Sequence, residues 1–188
     1  MMMAYRPRSR IWTPSALDGV VVSLADMKSH LRVVGNHDDA DILAIEQAAV
    51  RSIENQTQRL LVRREAVLRL PDLPRDRCPI ELPGGPVSTV TSIVADSTTI
   101  TGHEVIGDAP ARLLPDADWP VLDPEGYPVA ITYTVGYDDV PADLVHAVKL
   151  LAGTYYENRE SIVIGSISSE LPLNVRWLID PYRIWAAS

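Results

Sequence analysis

Three groupings in this 188-residue chain have the residue types that do chemistry. The first is Asn36-His37-Asp38-Asp39-Ala40-Asp41, where carboxylates and an imidazole crowd together as in a cation-binding loop. A calcium loop also needs a glycine at its sharp turn and a distal bidentate glutamate, and neither falls in place. Asp38, standing just before an apolar-periodic run, reads instead as a helix N-cap. The second grouping, Asp116-Ala117-Asp118, starts like the same loop. Pro120 and Val121 then occupy the places of a ligand and the glycine, so a loop of turn formers is the better reading. The third is Cys78 in Arg-Asp-Arg-Cys-Pro, where Arg77 favours the thiolate but no nucleophile motif surrounds it. His30, His37, His103 and His146 are scattered, and none makes the i,i+4 pair of a helical zinc site. His146, one position after a helical apolar stripe residue, reads as structural or solvated. No Gly-x-Ser-x-Gly, Walker loop, Gly-x-Gly-x-x-Gly or paired-cysteine spacing is present. The sequence therefore names no catalytic residue, no metal ligand and no cofactor. One enzymatic alternative stays open, a carboxylate pair assembled by folding in the β-rich middle.

Composition narrows the classes further. The length suits one domain with an elaboration, and 46% hydrophobic with 22% charged residues is ordinary for a globular chain. The single cysteine excludes an intrachain disulfide and fits a reducing compartment. No apolar run reaches membrane-spanning length, and Met1-Met2-Met3-Ala4-Tyr5-Arg6 lacks the apolar core of a signal peptide. The expectation is a protein inside the cell or packaged in a particle, without a membrane partner. A net charge of −8 disfavours general adhesion to nucleic acid, which needs clustered Lys and Arg. The local exception is Arg6, Arg8 and Arg10, a short basic arm or a solvated tail, with Trp12 beside it as a candidate arm contact.

The elements that must position these residues follow from periodicity. Residues 1–19 hold Pro7, Pro14 and Gly19 and no sustained period, and read as an extended arm with Ile11 and Trp12 as anchors. Ser23 and Asp26 form a capping pattern for a short helix over about 23–34, with Leu24, Met27 and Leu31 as its apolar face. A second helix over about 39–59 presents Ile42, Ile45, Ala49, Ile53 and Leu60, with Glu46, Arg51 and Glu54 placed off that face. From 64 to 135 the period becomes two, with prolines and Pro83-Gly84-Gly85-Pro86 marking turns; this is an antiparallel β insertion. Val129, Ile131, Tyr133 and Val135 alternate with smaller residues in its last strand. Asp138-Asp139 signal the start of a third helix over about 141–159, with Pro141 in its first turn. Its stripe is Leu144, Val145, Val148, Leu151, Ala152 and Tyr155. After a small, apolar 161–168, Asn174 caps a short helix over about 174–180 that Pro181 ends. The fold class is α+β, a small bundle of three to four helices with the β insertion between the second and third. Its expected divisions are an arm (1–19), a main domain (20–160) and a C-terminal docking segment (161–188).

Two stretches carry a resemblance. The order Tyr-x-x-Gly-Tyr, Asp-Val-Pro, then a helix closing in Tyr-Tyr-Glu-Asn-Arg-Glu (133–160) resembles the head–tail connector, or adaptor, proteins of tailed phages and gene transfer agents. Leu-Pro, a short apolar helix and Pro-Tyr-Arg (171–183) resemble the same family, and the short-helix, acidic-turn, long-helix order at 22–62 agrees with it. The resemblance implies a structural protein without catalysis. It would form a ring of about twelve copies below the portal, join the DNA-filled head to the tail, and line a channel through which DNA passes without sequence-specific binding. It also implies portal and tail-side stopper or terminator partners, assembly in the host cytoplasm, and a place at the head–tail junction of the particle. A tail-completion or baseplate-side ring is the alternative. Leu171, Pro172, Trp177, Leu178, Pro181, Tyr182, Arg183 and Trp185 are the candidate partner interface, because Trp, Tyr and Arg dominate interface hot spots. Packing of Trp177 and Trp185 on the chain's own core is the competing reading.

Overall fold

The computed structural model describes Tyr5, Pro7 and residues 9–122, 128–158 and 171–184. The chain divides into two compact units, each built from two separated segments.

The sheet unit comprises Met1–Leu17 and Arg63–Tyr137. Its strands are β1 (Ile11–Pro14), β2 (Arg64–Leu70), β3 (Ile80–Leu82), β4 (Val87–Ala95), β5 (Thr98–Thr99), β6 (His103–Ile106), β7 (Ala111–Pro115) and β8 (Val129–Val135). They form a five-stranded sheet in the order β1-β2-β8-β4-β5 and a three-stranded sheet in the order β3-β7-β6, with antiparallel pairing throughout. The alternation read from β8 is what registers the larger sheet: Val129, Ile131, Tyr133 and Val135 are all buried. On β2, Leu68 lies opposite Ile131 and Ala66 opposite Tyr133, so the two strands bury the same face. A slip of one residue would turn every one of these side chains outward. The N-terminal stretch joins this sheet as β1, with Trp12 opposite Leu68.

The helical unit comprises Asp18–Val62 and Asp138–Ser188. It contains α1 (Leu24–Leu31), α2 (Asp39–Thr57), α3 (Ala142–Glu157), α4 (Leu173–Ile179) and a 3₁₀ turn at Asp180–Tyr182. Its core is Met27, Ile42, Ala49, Val50, Ile53, Leu144, Ala147, Val148, Leu151, Val175 and Ile179. Helices and antiparallel sheets thus combine as the α+β class required, with β2 to β8 between α2 and α3.

Several local expectations are corrected. Glu46 and Glu54 were placed off the apolar face of α2, yet they are only 1% and 7% exposed. Helical spacing sets Glu46 on one stripe with Ile42, Ala49, Val50 and Ile53. The Ser23 cap on α1 forms as expected: the Asp26 amide donates to Ser23 Oγ at 3.1 Å, and the hydroxyl donates to the Asp26 carboxylate at 2.7 Å. Asp138-Asp139 do not cap α3. Pro141 holds the N-cap position and Ala142 begins the helix, without a side-chain capping bond. On α3 the buried stripe runs through Ala147, while Val145 and Tyr155 are half-buried. On α4 the cap position belongs to Pro172; Asn174 lies inside the first turn, where its Oδ1 accepts from the Val175 amide at 3.0 Å.

Candidate docking surface on the C-terminal helix

α4 has two unlike faces. Val175 and Ile179 are buried and hold the helix against α3 and α2. Leu173 and Trp177, also four residues apart and therefore neighbours on the helix surface, are 66% and 74% exposed. Pro181 is exposed, whereas Leu171, Pro172 and Leu178 are half-buried. A tryptophan that open, beside an equally open leucine, is a surface the described residues leave uncovered.

The segment after α4 has a different job. The last carbonyls of a helix have no partner within it, and α2 ends at Gln58 in the left-handed region with φ 57°. Arg183 Nε donates to the Gln56 carbonyl at 3.2 Å, the Ile184 amide donates to the Thr57 carbonyl at 2.9 Å, and Arg59 Nε donates to the Tyr182 carbonyl. The Tyr182 hydroxyl reaches the Asp143 carboxylate at 3.4 Å, and Asp180 lies 3.7 Å from Arg183 and 3.9 Å from Arg176. Tyr182 and Arg183 therefore tie the C-terminal segment onto the end of α2. Gln56, Leu171, Arg176, Ile179, Asp180 and Arg183 line a cavity of about 180 Å³ there. Trp185 lies outside the described residues.

The arm residues are placed by the sheet unit. Arg6 and Arg8 lie outside the described residues, and Arg10 and Trp12 are half-buried. The Trp12 ring packs so closely on Gly84 that a Cβ there would sit 2.5 Å from the indole, and φ at Gly84 is +87°. Only glycine meets both demands. Beside it the Tyr133 hydroxyl donates to the Pro83 carbonyl at 2.9 Å, and burial pushes its pKa well above the ordinary tyrosine value.

The acidic turn at 36–41 is committed to helix packing. The Tyr156 hydroxyl donates to Asp38 at 2.6 Å, and His37 stands 3.5 Å from the same carboxylate. Lys28 joins Asp39 at 2.7 Å and Asn36 at 3.0 Å, fastening α1 to the start of α2. Cys78 is half-buried and its carbonyl accepts the Trp119 indole N–H at 2.9 Å; His146 is exposed. Among the described residues no three His, Cys, Asp or Glu side chains converge as a metal site, and no helix is long and apolar enough to cross a membrane.

The buried glutamates are the polar groups that sequence reasoning missed. Glu46 Oε1 accepts from the Val21 and Val22 amides at 2.8 and 3.3 Å, and Glu54 Oε1 accepts from the Leu61 amide at 2.8 Å. Each carboxylate holds a chain segment that enters or leaves the bundle. Burial raises the Glu46 pKa, and the two amide bonds oppose that rise. The position of Glu46 four residues after Ile42 and seven before Ile53 was the available signal.

A family model described as phage gp6-like head–tail connector protein matches residues 114–183, which run from the end of β7 through α4. Among solved structures, the chain is similar to one from the neck of an empty gene transfer agent (GTA) particle computed with C6 symmetry. That match has a TM-score of 0.79 and 28% identity, and covers 95% of this chain and 97% of the other. A chain from the virion of a native GTA particle matches with a TM-score of 0.72, 28% identity and coverage of 95% and 97%. One from the neck of a native GTA particle computed with C12 symmetry matches with a TM-score of 0.72, 28% identity and coverage of 94% and 97%. No curated protein matches the chain.

Proposed function

We propose that the chain is a head–tail connector of the phage gp6-like kind, whose family model matches residues 114–183, and that it serves as one subunit of a ring at the head–tail junction of a gene transfer agent or phage-like particle. The observation that carries this reading is the likeness, across 95% of the chain, to a protein from a GTA particle neck. The role is structural: the helices and sheets hold contact surfaces in place and no chemistry is required of them. The C-terminal segment is the element offered to a neighbouring ring, the portal. Within it the exposed Leu173–Trp177 face supplies the contact, while Tyr182 and Arg183 keep the segment seated on α2.

The acidity is uneven. The helical unit carries 14 Asp and Glu against 8 Lys and Arg, the sheet unit 11 against 9. Repeated around a channel, a net −6 per helical unit repels duplex phosphate and lets DNA slide past without sticking.

Native mass measurement and electron microscopy of the purified chain, alone and mixed with the cognate portal, test the reading. A ring that binds the portal is expected. A chain that stays monomeric, does not bind the portal and is missing from purified particles refutes it.

A further inference from the structure

The two sheets have four edges: β1 and β5 on the larger, β3 and β6 on the smaller. Folded proteins protect such edges, because an open row of N–H and C=O groups is a template for another strand. Two of the four are dealt with inside the chain. Along β3, the Tyr5 amide donates to the Pro79 carbonyl at 2.6 Å and the Glu81 amide donates to the Tyr5 carbonyl at 3.4 Å, a parallel bridge that covers the edge. β5 is only two residues long, follows a tight turn with Asp96 and Ser97 at φ 45° and 65°, and pairs only with Val94 and Ala95. The rest of that flank of β4 is broken by register shifts between Val87 and Thr89 and between Val90 and Ser92, irregularities that blunt an edge. Among the described residues that leaves β1 and β6, each four residues long.

Their registers fix which groups look outward. The Ser15 amide donates to the Glu65 carbonyl at 2.8 Å, and antiparallel bonding pairs recur every second residue. Thr13 and Ile11 therefore bond toward β2, and the Trp12 N–H and C=O with the Pro14 C=O point away from it. On β6 the Asp116 amide donates to the Gly102 carbonyl at 3.0 Å, so Glu104 and Ile106 bond toward β7. His103 and Val105 present their N–H and C=O groups to the outside. Each edge also displays one isoleucine on its solvent face, Ile11 at 44% and Ile106 at 47% exposure.

We propose that the occupant is a second copy of this chain: the β6 edge of one subunit pairs with the β1 edge of the next. The two edges are different surfaces, so the contact runs head to tail, and such a contact generates a ring when its rotation closes. Matched length and outward backbone groups provide the hydrogen bonds, and Ile11 and Ile106 become cross-strand neighbours on one face. This deepens the ring reading above and rests on it.

Cysteine pairing is the test, in a Cys78→Ser background that removes the only native thiol. Residues 11 or 13 on β1 are combined with 104 or 106 on β6, four double variants, all at exposed positions. On oxidation at least one double variant should give a covalent ladder up to the full ring, and single variants should stop at dimers. Hydrogen exchange at the Trp12, His103 and Val105 amides should slow at least tenfold on assembly. Ile106→Lys should raise the concentration needed for half-assembly at least tenfold. Rings that form normally while all four pairs stay unlinked and those amides exchange unchanged overturn the pairing alone. A wild-type chain that never forms a ring overturns the ring reading and the pairing with it.

Discussion

Glu46 is the most exacting place to test how this fold is held. Its carboxylate is 1% exposed, and one oxygen accepts the Val21 and Val22 amides just before α1. Glu46→Ala leaves those two donors without their acceptor and removes one buried methylene along with the carboxylate. A buried unsatisfied group costs about 1–3 kcal/mol, and each lost methylene about 0.8 kcal/mol. Counting the buried Val22 amide and one methylene, with the part-buried Val21 amide able to turn to water, the total is roughly 2–4 kcal/mol, which for a chain of this length lowers Tm by about 5–15 °C. Glu46→Gln keeps the accepting oxygen and removes the charge, so it should stay within about 1 kcal/mol of the wild type at pH 7. The pH dependence separates the two effects. The folded pKa of Glu46 is raised above its ordinary 4.5, so its contribution is fully present below that value and is lost as pH rises through the folded pKa. Glu46→Gln should flatten the stability profile across that window. The assay is thermal unfolding followed by circular dichroism at fixed protein concentration, from pH 4 to 8. A Glu46→Ala variant that melts within 1 °C of the wild type, or a Glu46→Gln variant as damaged as the alanine, refutes the claim that this carboxylate pins the entry to α1.

Other outcomes follow from the same structure. Tyr156→Phe removes the hydroxyl that donates to Asp38 at 2.6 Å, and chemical denaturation should show a loss of about 1.5–3 kcal/mol, as for bonds to a charged group. Gly84→Ala drives a Cβ into Trp12 at a left-handed φ, and should cost at least about 1–3 kcal/mol, read as a fall in Tm. Trp177→Ala should change unfolding free energy by less than about 0.5 kcal/mol, since the side chain is 74% exposed. The same variant should weaken portal binding about 30-fold or more, the scale of a hot-spot residue, measured by calorimetry. Equal portal affinity would remove Trp177 from the interface. Cutting the chain at Leu171 is a poorer test, because it also strips Val175 and Ile179 from the core and exposes the carbonyl end of α2. Reversing exposed carboxylates of the helical unit should slow DNA ejection, and an unchanged ejection rate would count against an electrostatic lining.

Much of the fold was legible in the chain because period and punctuation are local properties. Alternation at Val129, Ile131, Tyr133 and Val135 announced a strand with one buried face, and those residues are buried in β8. The spacing of Leu144, Val148 and Leu151 announced α3 in the same way, and Ser23 with Asp26 announced the cap on α1. Hydrophobic spacing, capping chemistry and turn residues act over a few positions, so reading those positions suffices.

What the tertiary structure alone decided concerns polar groups whose partners are distant in sequence. Asp38, read as a plain cap, meets Tyr156 across 118 residues, and Glu46 is buried because amides 24 and 25 residues away need an acceptor. Within one candidate cluster the fold separates roles: Arg183 is turned back to the end of α2, while Trp177 is left facing solvent. Residue type marked both as candidate interface material; only the packing of α4 fixed which one is left exposed. A hydrogen-bonding side chain has the same composition whether it satisfies its own chain or a partner's, and that choice is made by three-dimensional proximity.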